Sequence, residues 1–185
     1  RMFDSATFSL FVRPSSTKRS YYVAAGLEEL LNYIEQFYFS DSAIAYLKST
    51  NIFGEEFLNY VSGFRFTGSI RAMPEGRVFF GNEPLLEVTG PIIESQLIET
   101  LIVNQMNINT LISTKAARCF WAANGRRLVD FSLRRTHGID AGMIASRSSY
   151  IAGFTSTSNV LAGRDFGIPI TGTMAHSYVA SFENE

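Results

Sequence analysis

From Arg126 to Phe182 strand-like and helix-like runs alternate: RLVDFSL, IDAGMIASRSSYIAG, FTSTS, NVLAGRDFG, IPITGT and AHSYVASF. A strand that reaches its neighbour through a helix pairs parallel to it, with a right-handed crossover. The stretch is therefore α/β. Three such units are too few to close a barrel or complete a doubly wound sheet, which argues for missing sequence. The chain also opens on Arg1 almost directly into a strand and closes on SFENE after an unfinished helix pattern, as expected of a fragment of a longer polypeptide.

Residues 1–124 follow a different rhythm, and a domain boundary is expected near residue 125, giving an N-terminal α+β layer with a linking helix (1–124) and an incomplete barrel domain (125–185). Ala6, Phe8, Leu10 and Val12 alternate with Thr7, Ser9 and Phe11, a strand with one buried face, followed by a turn at Pro14–Ser16. Val23, Leu27, Leu30, Leu31, Ile34 and Phe37 recur at helical spacing, predicting a helix over about residues 20–38. Shorter helices are expected over Ser42–Lys48, capped by Asp41, and over Glu55–Val61. Phe64–Ala72, GRVFF and LLEVT read as strands of an antiparallel meander separated by turns at MPEG and GNEP. Pro91 suits a helix start and Asn124-Gly125 a helix stop; between them the apolar period spans one long helix or two. Asn104, Gln105, Asn107 and Asn109 interrupt it, and any that are buried need partners.

Charge and composition exclude several classes. With 16 Lys+Arg against 17 Asp+Glu, no net field favours nucleic acid or an anionic membrane. The single cysteine, Cys119, excludes an intrachain disulfide and a cysteine zinc cluster. No signal peptide and no membrane-spanning apolar run is present, so a soluble cytoplasmic protein is expected. P-loop, GxGxxG, HExxH and CxxC patterns are absent. Phe37, Tyr38 and Phe39 lack interleaved basic residues and read as core and interface, not as a base-stacking platform. Cys119, Phe120 and Trp121 read as packing residues.

Polar residues follow each parallel strand: Arg134, Arg135 and His137; then Ser156, Thr157 and Ser158; then Thr171, Thr173 and His176. In a parallel sheet such positions converge on one rim, here with cations, hydroxyls and imidazoles suited to an anionic, phosphate-bearing ligand. The plainer readings are a solvated Arg pair, a helix cap at Asn159 and an ordinary histidine at a helix start.

The stretches YYVAAGLEELLNYIEQF, AMPEGRVFFGNEPLLEVTGPIIESQLIETLIVNQ, VDFSLRRTHG, STSNVLAG and GIPITGTMAHSY resemble nicotinate phosphoribosyltransferases, in order over nearly the whole chain. The resemblance implies a type II phosphoribosyltransferase-like fold, an N-terminal α+β layer domain followed by the first strand–helix units of a parallel α/β barrel. It also implies transfer of the phosphoribosyl group of phosphoribosyl pyrophosphate to nicotinate, with Mg2+ and coupled ATP hydrolysis, in a homodimer with shared active sites. The histidine of the family's GT-x-AHS motif, transiently phosphorylated, falls on His176, and the motif's nicotinate-facing Thr on Thr173. By the same resemblance, Phe131 stacks on the ring, Arg134 with Arg135 meets the carboxylate, and Arg13 reaches the pyrophosphoryl substrate. Ser158 stands where the related nicotinamide enzyme has an Asp that accepts from the amide. A carboxylate there would repel nicotinate by about 4 kcal/mol at about 4 Å and an effective dielectric of about 20, so a neutral Ser favours the acid.

The family's leading Asp-x-Tyr segment and the loops for the ribose 5-phosphate have no counterpart in the chain, so these 185 residues alone are expected to be inactive. The alternatives are a nicotinamide or quinolinate phosphoribosyltransferase, or a non-catalytic oligomerisation or binding fragment.

Overall fold

The computed structural model describes residues 1–14 and 20–183; residues 15 and 16 of the expected first turn lie outside the described residues. The N-terminal sheet is built around β5 (Pro84–Pro91), flanked by β1 (Ser5–Phe11) and β3 (Ser69–Ala72), both antiparallel to it. The expected meander is corrected in one respect. β4 (Val78–Phe79) does not join this sheet but pairs with β2 (Tyr22–Val23), because Phe79 is fully buried against the Tyr22 ring, centroids 5.4 Å apart. The strand read over Phe64–Ala72 shortens to β3, while Phe64, Phe66, Ile70 and Ala72 keep the inward face they were expected to have.

β2 lies where a helix was expected to begin. Tyr22 to Ala25 are buried without interruption, so they cannot form one stripe of a surface helix. Gly26, at φ 97°, then turns the chain, and a Cβ there would lie 2.7 Å from Asn109 Cβ. Helix α1 therefore starts at Leu27 and ends at Gln36. Its first turn is capped by Glu75 from the MPEG turn, whose Oε1 accepts from the N–H groups of Gly26 (2.5 Å) and Leu27 (3.1 Å). Helix α2 (Asp41–Ser49) is capped by the Ser40 hydroxyl, which accepts from Ala43 N, and not by Asp41, which stands inside the first turn. Helix α3 (Glu55–Ser62) follows as expected.

The interrupted apolar pattern after Pro91 forms one helix, α4 (Ile92–Ala123), stopped by Asn124 at φ 47° and Gly125 at φ 81°. At 32 residues it is roughly 48 Å long. Ile98, Ile102 and Met106 enter the core with Leu30, Ile34, Phe79, Leu85, Leu86 and Val88. Three of its buried polar residues, Asn109, Ser113 and Thr114, have partners on other elements. Asn109 donates to Gln105 O (2.9 Å) and accepts from the Ser148 hydroxyl (2.7 Å). Ser113 donates to Val23 O (2.7 Å), and Thr114 Oγ1 accepts from Val23 N (3.0 Å), which satisfies the edge of β2 facing away from β4. Phe8, expected on the buried face of β1, is 43% exposed and borders a cavity of about 320 Å³ beside Ile102 and Val103. Phe37 and Phe39 pack edge-on with Phe64 as core, whereas Tyr38 is exposed under the Arg65 guanidinium.

Beyond Asn124, β6 (Val129–Asp130) and β7 (Ser156–Thr157) pair in parallel, and Thr157 pairs in parallel with Ile170. Helix α5 (Ile139–Ile151) connects the first two, and α6 (Val160–Phe166) leads to the third. The strand–helix order is as the sequence implied, but the strands are shorter. β6 stops because the chain turns at Ser132 into a 3-10 turn, Leu133–Arg135; IPIT contributes only Ile170; and α7 (His176–Val179) is four residues long. Among the described residues no helix is long and apolar enough to cross a membrane.

Candidate active site at the parallel strand ends

Three backbone hydrogen bonds set the rim. Ser158 N donates to Asp130 O (2.8 Å), Thr157 N to Pro169 O (3.0 Å) and Thr171 N to Thr157 O (2.9 Å). Phe131, Ser158 and Thr171 therefore follow three adjoining strands at the same end of the sheet. Phe131 is 41% exposed although it sits in an apolar run, which leaves its ring face available. Ser158 is half-buried. Arg134 and Arg135 occupy the 3-10 turn that leaves β6; both are exposed, and neither forms an ion pair with another described residue. The strand ends thus carry two cations, an aromatic ring and a neutral hydroxyl, residue types suited to a flat anion.

Thr173 and His176 lie two and five residues past Thr171, exposed, with His176 opening α7. His137 is exposed in the loop after the 3-10 turn, just before Gly138 at φ 105°. Ser156 and Thr157 do not reach the rim as expected. Both lie within β7 and are buried, Thr157 completely, because its hydroxyl is directed to a buried carboxylate. Asn159 caps α6, its Oδ1 accepting from Ala162 N (3.2 Å). Arg13, at the end of β1, borders a different cavity of about 370 Å³ with Tyr22, Met106, Asn107 and Thr110; none of the strand-end residues lines it.

Three buried charged groups escaped the sequence reading: Asp130, Arg147 and Glu94, the last of which accepts from Thr67 N (2.7 Å). Asp130, 4% exposed, accepts from Ser132 N (2.9 Å), the Ser146 hydroxyl (2.8 Å) and the Thr157 hydroxyl (2.8 Å). Burial pushes its carboxyl up, and the polar groups of Ser132, Ser146 and Thr157 more than reverse this, leaving it below the usual carboxylate range. Arg147, 8% exposed on α5, donates to both Glu75 oxygens (2.8 Å each) and to Glu28, and its guanidinium lies 5.8 Å from the Phe166 ring centroid. Hydrogen bonding to Glu75 outweighs burial and holds Arg147 above its ordinary value. Burial raises the Glu75 carboxyl, but the bonds from Arg147, Gly26 and Leu27 bring it below its ordinary value. The available signal was a lone charge inside each apolar run, Asp130 in RLVDFSL and Arg147 in MIASRSSYI, since such charges need partners.

A model of the nicotinate phosphoribosyltransferase N-terminal domain matches residues 1–107. The chain is 46% identical over 185 residues to nicotinate phosphoribosyltransferase pncB2 of Mycobacterium tuberculosis, covering all of this chain and 40% of that protein. The crystal structure of human nicotinic acid phosphoribosyltransferase superposes with a TM-score of 0.90 at 37% identity, over 98% of this chain and 37% of that one. A nicotinate-nucleotide pyrophosphorylase from Pyrococcus furiosus, at 21% identity and a TM-score of 0.74, covers 96% of this chain and 38% of its own, and shares the fold.

Proposed function

The chain belongs to the nicotinate phosphoribosyltransferase family, and from that premise we propose that the whole protein transfers the phosphoribosyl group of phosphoribosyl pyrophosphate to nicotinate, an early step of NAD salvage. The observation that carries the reading is the rim itself: Phe131 and Ser158 at adjoining strand ends, with Arg134 and Arg135 in the turn between β6 and α5. The pyridine ring stacks on Phe131, its carboxylate meets Arg134 and Arg135, Ser158 adds no opposing charge, and Thr173 lies against the ring. Arg13 is assigned to the polyphosphate of phosphoribosyl pyrophosphate, in a cytoplasmic homodimer whose sites are shared.

In the reaction, the nicotinate ring nitrogen forms a bond to C1 of the ribose as the C1–O bond to pyrophosphate breaks. Electron density gathers on the leaving group, so cationic donors that hold phosphate in place lower the barrier. We assign His176 to ATP coupling. Its ring nitrogen takes the γ-phosphoryl group, forming an N–P bond as the P–O bond to ADP breaks, and water later cleaves the N–P bond to release phosphate. An exposed imidazole at the start of α7 is open to a nucleotide, which supports this role. Mg2+ supplies charge neutralisation on phosphates when bound. Among the described residues no three His, Cys, Asp or Glu side chains converge to hold an ion. These residues do not fit a metal cradle by themselves, and the substrates' phosphates would hold the ion.

Mononucleotide formation from nicotinate and from nicotinamide by the whole protein tests the reaction. The histidine is tested separately with γ-labelled ATP. An acid-labile label on His176 is expected, with loss of both label and ATP stimulation in His176→Asn; ATP-stimulated turnover that survives the substitution would remove His176 from the scheme.

A further inference from the structure

We propose that Asp130 is a positioning residue for nicotinate, locking the Phe131–Arg135 turn and Ser158 into one fixed geometry. Its carboxylate holds the turn through Ser132 N (2.9 Å) and holds β7 through the Thr157 hydroxyl (2.8 Å), while its own carbonyl accepts from Ser158 N (2.8 Å). Thr157 extends the link, its oxygen accepting from Asn159 N (3.0 Å), so the residues on both sides of Ser158 are tied to Asp130. Ser146 of α5 adds a third anchor at 2.8 Å from Oδ2. Asp130, Ser146 and Thr157 are 4%, 1% and 0% exposed, so none of them can touch a ligand, and any effect passes through the rim residues they hold.

A brace that served stability alone needs no charge here. Two strands can be joined by apolar packing, whereas a buried carboxylate is costly unless every lone pair is used. What the carboxylate adds is direction: two oxygens accept from three fixed donors and leave the turn one orientation. Phe131 immediately follows Asp130, and Arg134 and Arg135 follow the bonded Ser132, so a slack turn misplaces the ring and both guanidinium groups together.

The inference rests on the reading of the rim as the nicotinate site, and its test separates the two. In the whole protein, Asp130→Asn and Thr157→Val are expected to raise the KM for nicotinate about tenfold while the KM for phosphoribosyl pyrophosphate stays within about twofold. Thr157→Ser, which keeps the hydroxyl, is expected to behave as wild type. Backbone amide exchange is expected to rise jointly at residues 131–136 and 157–160 and to stay unchanged at 84–91. An unchanged nicotinate KM, an equal rise in both KM values, or exchange that rises throughout would overturn the inference. If Asp130→Asn does not fold, the Thr157→Val and Thr157→Ser pair makes the same comparison. If the wild-type protein does not use nicotinate, the functional reading fails, and the exchange measurement alone then decides whether Asp130 locks the two stretches.

Discussion

Replacing Arg147 with alanine is expected to destabilise the protein by about 3 kcal/mol, the lower end of what breaking a buried ion pair costs. Arg147 is 8% exposed, and the Glu75 side chain with which it makes two 2.8 Å hydrogen bonds is 19% exposed. Glu75 would keep its two backbone donors at Gly26 and Leu27 but lose its counter-charge, which is why the lower end applies. Glu28 is exposed and contributes little. The effect reaches well beyond one pair. Glu75 fixes the start of α1, Arg147 sits on α5, and the two together tie the N-terminal layer to the strand–helix segment. Chemical denaturation measures the loss, and a double variant, Glu75→Gln with Arg147→Met, is expected to recover part of it, because the amide oxygen still accepts from the Gly26 and Leu27 N–H groups while the uncompensated Glu75 charge is gone.

The same pair sets an acid limit. The Glu75 carboxyl is held below its ordinary value of 4.5 in the folded protein, so its contribution is fully present above that pH and is lost as pH falls through the lowered folded value. Asp130 acts in the same direction from its ordinary value of 3.8. Glu29 opposes them, since burial foremost raises its carboxyl, and its contribution is lost as pH rises. Wild-type stability is therefore expected to fall below about pH 4.5, and Arg147→Ala to flatten that fall. A denaturation midpoint series between pH 3 and 7, marking about four units around these carboxyls, checks both slopes.

Ser158→Asp is expected to reduce kcat/KM for nicotinate by roughly a hundred- to a thousandfold and to shift preference toward nicotinamide. The reasoning is electrostatic. Two carboxylates about 4 Å apart at an effective dielectric of about 20 repel by about 4 kcal/mol, close to three decades in rate, and Arg134 and Arg135 offset part of it. Ser158 is half-buried, with its backbone held by Asp130, so the new carboxylate could not swing freely into solvent. Ser158→Asn, similar in size but neutral, separates charge from bulk and is expected to cost less than tenfold. Equal losses in the two variants would place the effect in packing and not in charge.

The order of strands and helices after Arg126 could be read because each crossover is local and carries its own period, as in the α5 and α6 stretches. The partner of Phe79 could not. Nothing near residue 79 encodes Tyr22, more than fifty positions earlier, and Val23 fits a helical period with Leu27 and Leu30 although it lies in a strand. Asp130 and Arg147 went unnoticed although each is a lone charge within an apolar stretch, and their partners Thr157 and Glu75 are set by the packed fold. Within the candidate site, the positions following the strands were legible as a rim because parallel strands end together. Which hydroxyls turn inward was not, since Ser156, Thr157 and Ser158 are all small and polar, and only the buried carboxylate separates Thr157 from Ser158.

The proposal that the rim is a nicotinate site is tested most directly by initial rates of mononucleotide formation. The whole protein is given phosphoribosyl pyrophosphate with either nicotinate or nicotinamide, with and without ATP. Turnover of nicotinate that ATP stimulates, with nicotinamide at least a hundredfold poorer in kcat/KM, is the predicted result, on the order of what one opposed charge or one unpaired polar group can enforce. Equal use of the two, or a preference for nicotinamide, would contradict it.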